Sequence, residues 1–262
     1  MRLGLICLLG TTVLVGGCND LPGKPPPNPA PVIPANTSAG FEAIYAERCA
    51  GCHGNNGVLG AARPMRDADY LQSIPRETLF AVTRNGVPGT RMPQMGGDAV
   101  DPIPDDVLHK FIEGMVDTWG VLKPGEPRPS RGIAWKHVPG SGDASRGAAI
   151  FEAKCVYCHP AQMKASAAYD LDRPGTVTDP LVVGSVVDPF YLRLVSDQHL
   201  RSSVVYGRAD LGMPGAAGPF RSPDGKEVAE PLDAEAVADL VAYMISFRDE
   251  WPTRAEKKDG AP

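Results

Sequence analysis

Four of the six cysteines stand in two matching motifs, Cys49-Ala50-Gly51-Cys52-His53 and Cys155-Val156-Tyr157-Cys158-His159. Two thiols three residues apart can each form a thioether to one vinyl group of the same haem. The histidine that follows then lies under the iron as its proximal ligand. A bare C-x-x-C also suits a redox dithiol or half of a zinc site. A zinc site drawn from Cys49, Cys52, Cys155 and Cys158 leaves His53 and His159 without a role, whereas covalent haem uses all six side chains. Two haem c groups are the expected cofactors, with His53 and His159 as iron ligands.

A second iron ligand for each haem is sought in a repeat. Residues 79–97 align without gaps on residues 200–218, so that Leu79 meets Leu200, Gly86 meets Gly207, Met92-Pro93 meets Met213-Pro214 and Gly97 meets Gly218. Methionine sulfur binds haem iron opposite histidine. Proline beside it stiffens the backbone, and nearby glycines let the chain run close to a flat ring. A lone methionine more often fills a core gap, but the shared register marks Met92 and Met213 as the distal ligands. Met95 is the local rival of Met92. Met65 and Met163 have no counterpart in the other copy.

The elements that must position these residues repeat as well. A helix over residues 40–48 leads into Cys49, and a helix capped by Asp143 and running to Lys154 leads into Cys155. Residues 71–85 read as helix punctuated at Pro75, and residues 187–205 as helix before the Met213 loop. Each copy closes on an apolar helix. Residues 105–119 carry Val107, Phe111, Met115 and Trp119 on one face, after Pro104 and with acidic residues in the first turn. Residues 233–248 carry Val237, Leu240, Val241, Met244 and Phe247. Two copies of one helical unit explain this order.

Both copies resemble class I cytochrome c domains, and the resemblance covers nearly all of residues 40–250. The first-helix pattern Gly-x-x-x-aromatic-x-x-x-Cys is met by Gly147, Phe151 and Cys155. The first copy has Tyr45 before Cys49 but Phe41 in the glycine position. The closing-helix pattern Leu-x-x-aromatic is met by Leu240 and Tyr243, against Phe111 and Gly114 in the first copy, which suggests that Gly114 makes room for Phe41. The resemblance implies an all-α chain of two tandem domains, each a small helical fold around one covalent haem. Its parts are a lipoprotein signal (1–17), a proline-rich tether (18–39), domain one (40–120), a linker (121–142), domain two (143–250) and a polar tail (251–262). It also implies a proline carbonyl holding the proximal histidine ring. Pro64 is the candidate in the first copy, and Pro174 or Pro180 in the second.

Composition agrees with a cofactor-filled core. Only 6% of the 262 residues are aromatic, while glycine (29) and proline (27) are abundant. The net charge of −5 gives no basic footprint for nucleic acid. Arg2 and the apolar residues 3–15 read as an export signal, too short to span a bilayer. They end in Val15-Gly16-Gly17-Cys18, which resembles a bacterial lipobox with Cys18 as the lipidated residue; an ordinary signal peptide is the alternative. The seven prolines within residues 19–39 suit an extended tether, with a reach on the order of 60 Å.

Iron held by both histidine and methionine has no vacant site and can only change oxidation state. The expected function is single-electron transfer between respiratory partners, facing the periplasm from a lipid-anchored position, without a small-molecule substrate. Three alternatives stay open. They are a subunit of a quinol-oxidising complex, whose cytochromes the stretch 197–214 resembles, an electron-accepting subunit of a dehydrogenase, and a dihaem peroxidase. A peroxidase needs a distal acid–base residue. The spare histidines His109, His137 and His199 are unmatched between the copies and read as surface side chains.

Overall fold

The structure, a computed structural model, describes residues 34–159 and 186–249. Cys18, the export signal, most of the tether, Met163, Pro174, Pro180 and the polar tail lie outside the described residues. The helices in chain order are α1 (Ser38–Arg48), α2 (Ala50–His53), α3 (Ala68–Ser73), α4 (Arg76–Asn85), α5 (Asp105–Trp119), α6 (Ala144–Lys154), α7 (Pro189–Leu194), α8 (Asp197–Tyr206) and α9 (Ala234–Ser246). A short antiparallel hairpin, β1 (Phe220–Arg221) and β2 (Glu227–Val228), interrupts the otherwise helical chain.

Each half builds its own core. In the first, Phe41, Tyr45, Leu71, Leu79, Leu108, Phe111, Met115 and Trp119 are buried together. Phe41 and Tyr45 of α1 meet the Trp119 ring edge-on, each at a centroid distance of 4.9 Å. Burying such a ring contributes about 2–3 kcal/mol. In the second half, Phe151, Val205, Tyr206, Val237 and Leu240 form one cluster, and Leu192, Leu200, Val241 and Met244 an adjoining one.

Capping chemistry sets the helix starts. Thr37, Asp67, Asp143, Ser196 and Asp233 each accept a backbone N–H from the first turn of the helix that follows. Ser196 is why residues 187–205 form two helices, not one: its cap opens α8 after an extended Val195 closes α7.

The α6–α9 crossing is tight. A Cβ on Gly147 would stand 2.0 Å from the Asp239 carbonyl oxygen, so only glycine fits there. Asp239 is 2% exposed and takes both Nε and Nη2 of Arg146, at 2.7 and 2.8 Å, and the Asp143 N–H at 2.6 Å. In the first half the nearest atoms to a Cβ on Gly114 would be the Ala35 carbonyl oxygen and Asn36, at 2.9 and 3.1 Å. Gly114 admits the turn ahead of α1, while Phe41 packs towards Phe111 and Trp119.

Residues 121–142 cross both halves as a fixed strap. The buried Ser130 donates its N–H to Asp69 Oδ2 (2.8 Å), and the Pro129 carbonyl accepts from Ala217. The Ala134 carbonyl accepts from Arg201, and the Trp135 carbonyl from Gln198. No described helix is long and apolar enough to cross a membrane.

Candidate functional site

The two cysteine motifs adopt the same local structure. Cys49 closes α1 with φ −118° and ψ −33°, and Cys155 closes α6 with φ −122° and ψ −30°. In the first motif the Cys49, Cys52 and His53 N–H groups donate to the Tyr45, Cys49 and Cys49 carbonyls at 2.8, 3.1 and 2.9 Å. In the second, the Cys155, Cys158 and His159 N–H groups donate to the Phe151, Cys155 and Cys155 carbonyls at 2.8, 3.1 and 2.9 Å. The same hydrogen-bonded turn, helical only in the first motif, thus carries both thiols and the imidazole in both places.

None of the four motif cysteines is in a disulfide; Cys49 and Cys155 are half-buried, Cys52 and Cys158 exposed. Burial, then the neighbouring Cys52, pushes the Cys49 thiol up to about 11. Burial, then Cys158, pushes Cys155 up to about 12. A redox dithiol needs the opposite, a thiolate stabilised near neutral pH. Among the described residues no three His, Cys, Asp or Glu side chains converge as a metal site, so a zinc centre shared by the four cysteines is not formed.

His53 Nδ1 donates to a backbone carbonyl at 2.7 Å, which leaves Nε2 as the ligating atom. The acceptor is Arg63, one residue before the expected Pro64. Proline restricts the residue that precedes it towards extended backbone, so Pro64 acts on the bond through Arg63. Burial chiefly lowers the His53 pKa, which favours the neutral, ligating imidazole. His159 is likewise lowered by burial, and its Nδ1 is buried without a partner among the described residues.

Met92 and Met213 occupy equivalent turns. Gly86 ends α4 and Gly207 ends α8, both at positive φ, and their Cβ positions fall 2.7 and 2.5 Å from the Met92 and Met213 carbonyl oxygens. The Met92 carbonyl accepts from Val87, and the Met213 carbonyl from Arg208, at 3.1 and 2.9 Å. Both side chains are half-exposed and stay out of the packed cores, which Met65 and Met95 join. Downstream, the Met95 carbonyl accepts from Ile103, and the Ala216 carbonyl from Leu232, at 2.7 and 2.8 Å. The hairpin is an insertion inside this second closure.

Two cysteines on one hydrogen-bonded turn, an oriented imidazole and a thioether held off the core together fit covalent haem c with histidine–methionine ligation. Two of the three spare histidines differ from expectation. His109 is exposed and stacks on Phe80 at 3.7 Å, but His137, within the strap, is only 9% exposed. His199 is half-buried, and its pKa is lowered to about 4, by burial first and then by Arg63, Arg208 and His53. These neighbours place His199 near the first motif. Lack of a repeat counterpart suggests surface positions for these histidines, but His137 packs with the strap on Asp197 and Gln198, and His199 faces the first half at Arg63 and His53.

The contact between the halves was not anticipated. Arg63, 4% exposed, packs over both Tyr70 and Tyr206, its guanidinium carbon 4.4 and 5.0 Å from their centroids, while the two rings meet each other edge-on at 5.3 Å. Only the pairing of an unexplained arginine with the haem-motif loop could have signalled it.

Residues 36–108 match the family described as cytochrome C oxidase, cbb3-type, subunit III. Comparison with curated proteins and with solved structures gives no match. The matched stretch holds the first cysteine motif and Met92. It supports a c-type cytochrome with covalently bound haem c, a helical fold, and electron transfer as the chemistry.

Proposed function

We propose that this chain is a dihaem c-type cytochrome of two tandem domains. It passes single electrons between respiratory partners on the periplasmic side of a bacterial membrane, tethered by lipid at Cys18. The observation that carries the two-haem reading is the equality of the cap, turn and hydrogen-bond geometry at Cys49–His53 and at Cys155–His159. Haem bound at such a motif supplies a one-electron change at iron. The chain's own part is to hold Cys49, Cys52 and His53, and Cys155, Cys158 and His159, each set on one turn. Met92 and Met213 cap the irons and keep other ligands away. Intact mass of the mature protein tests the reading: two haems above the polypeptide mass are expected, and a single haem overturns it.

A second reading is favoured by one finding. The family matched by residues 36–108 is described as an oxidase subunit, so a fixed place in an oxidase or quinol-oxidising complex competes with a mobile carrier. Purifying the protein from native membranes in mild detergent separates the two. Stoichiometric co-purification with a catalytic subunit supports the fixed place, and isolation of the chain alone supports the carrier.

A further inference from the structure

The loop between His53 and Arg63 belongs to the first half but is bonded to the Met213 loop of the second. Arg63 serves both. Its carbonyl accepts from His53 Nδ1 (2.7 Å), while its Nη1 donates to the Ser202 and Gly207 carbonyls at 3.1 and 3.3 Å. Its Nη2 pairs with Asp67. Gly207 turns the chain out of α8 towards Met213, and Arg208 and Met213 then bond each other in both directions, at 2.9 and 3.0 Å. The second half returns the contact. Arg208 Nη2 donates to the Gly60 carbonyl, and Asp210 Oδ2 accepts the Leu59 N–H, each at 2.8 Å. Leu59 is held there at φ 62°, a conformation leucine rarely adopts without surrounding constraint.

We propose that Arg63 is a positioning residue for both haem sites at once: its backbone orients His53, and its guanidinium holds the turn that presents Met213. This rests on the dihaem reading. A buried guanidinium needs only a counter-ion and acceptor partners, and Asp67 supplies the counter-ion within the first half. The two carbonyls at the end of α8 are additional partners, and they sit where the Met213 turn begins. Because the bond to His53 uses a main-chain atom, a side-chain substitution removes the second role and leaves the first.

The test uses the full-length holoprotein. Methionine-ligated ferric haem gives a weak absorption at the red end of the spectrum, and Met92→Ala and Met213→Ala assign its two parts. Arg63→Met is expected to lose most of the Met213 part, keep the Met92 part, and lower the reduction potential of the Met213 haem in a spectroelectrochemical titration. Arg63→Lys keeps the charge without the planar fork and is expected to recover only part of the loss. Wild-type absorption and potentials in Arg63→Met overturn the proposal, as does loss confined to the Met92 part. If Arg63→Met does not fold, Arg208→Gln removes the return bond to Gly60 and is read the same way. Loss or weakening of the Met213 part in that variant supports the proposal, and an unchanged spectrum overturns it. A wild-type protein with no absorption that Met213→Ala removes overturns the dihaem reading instead.

Discussion

Gly86 and Gly207 have the same backbone conformation, φ 68° and ψ −168° against φ 67° and ψ −166°, at the ends of two ten-residue helices. At each, a Cβ would collide with the carbonyl of the methionine that follows the turn. Gly86→Ala and Gly207→Ala are each expected to destabilise the protein by more than about 1 kcal/mol, because alanine is strained at positive φ. Each should also remove only its own share of the methionine-dependent red absorption. Denaturant unfolding and ferric spectra of the two variants check this. A variant that unfolds earlier but keeps its full absorption would separate the turn from ligand placement.

The methionine assignment makes a sharper contrast. Met95 joins the first core, and its N–H donates to the Thr83 carbonyl, whereas Met92 stays outside that core. Met92→Ala is therefore expected to abolish about half of the red absorption with little change in stability. Met95→Ala should keep the absorption and cost roughly 2–5 kcal/mol or somewhat less, since its site is only partly buried. The reverse pattern would make Met95 the ligand.

The helix that leads into Cys155 and the one that closes the first half were legible because their signals are local. Asp143 caps α6, Pro104 and two acidic residues open α5, and Asp105–Trp119 has the expected limits. The equivalence of the Met92 and Met213 turns was legible from register. The hairpin was missed although Pro223-Asp224-Gly225 is a turn signal, because two-residue strands leave no alternation to read. Asp239 lies among apolar neighbours on α9 and looks like a break in the buried face. Its role exists through Arg146 and the Asp143 N–H, both far away in the chain. Arg63 was invisible for the same reason: Ser202 and Gly207 belong to the other half.

The Asp239 pair gives a pH prediction. Hydrogen bonds from Arg146 outweigh burial and hold the Asp239 carboxyl below the usual carboxylate range. A carboxyl depressed in the folded state stabilises the fold above its unfolded pKa, and that contribution is lost as pH falls through the folded value. Asp239→Asn should thus lower stability at neutral pH. The gap between wild type and variant should shrink as the pH drops below about 4, the ordinary range for aspartate. Melting temperatures measured from pH 7 to pH 3 check this, and a gap that stays constant or widens in acid would mean that the carboxylate charge is not what holds α6 to α9.

The anchor can be tested apart from the haem sites. Val15-Gly16-Gly17-Cys18 follows an apolar run too short to span a bilayer, and the proposal is that Cys18 carries lipid. Stable attachment then needs more than one acyl chain. A chain held this way searches a thin layer above the membrane, which raises its effective concentration near membrane-bound partners without any new contact. Cys18→Ser, supplied with an ordinary cleavage site, should release soluble protein with the wild-type spectrum, because the described haem-binding residues lie beyond residue 48. Its turnover with membrane-bound donor and acceptor should fall at low concentration and recover when excess protein is added. Equal turnover at low concentration would limit the anchor to location. Turnover that excess protein never restores would instead place the chain as a fixed subunit whose assembly requires its N-terminal segment.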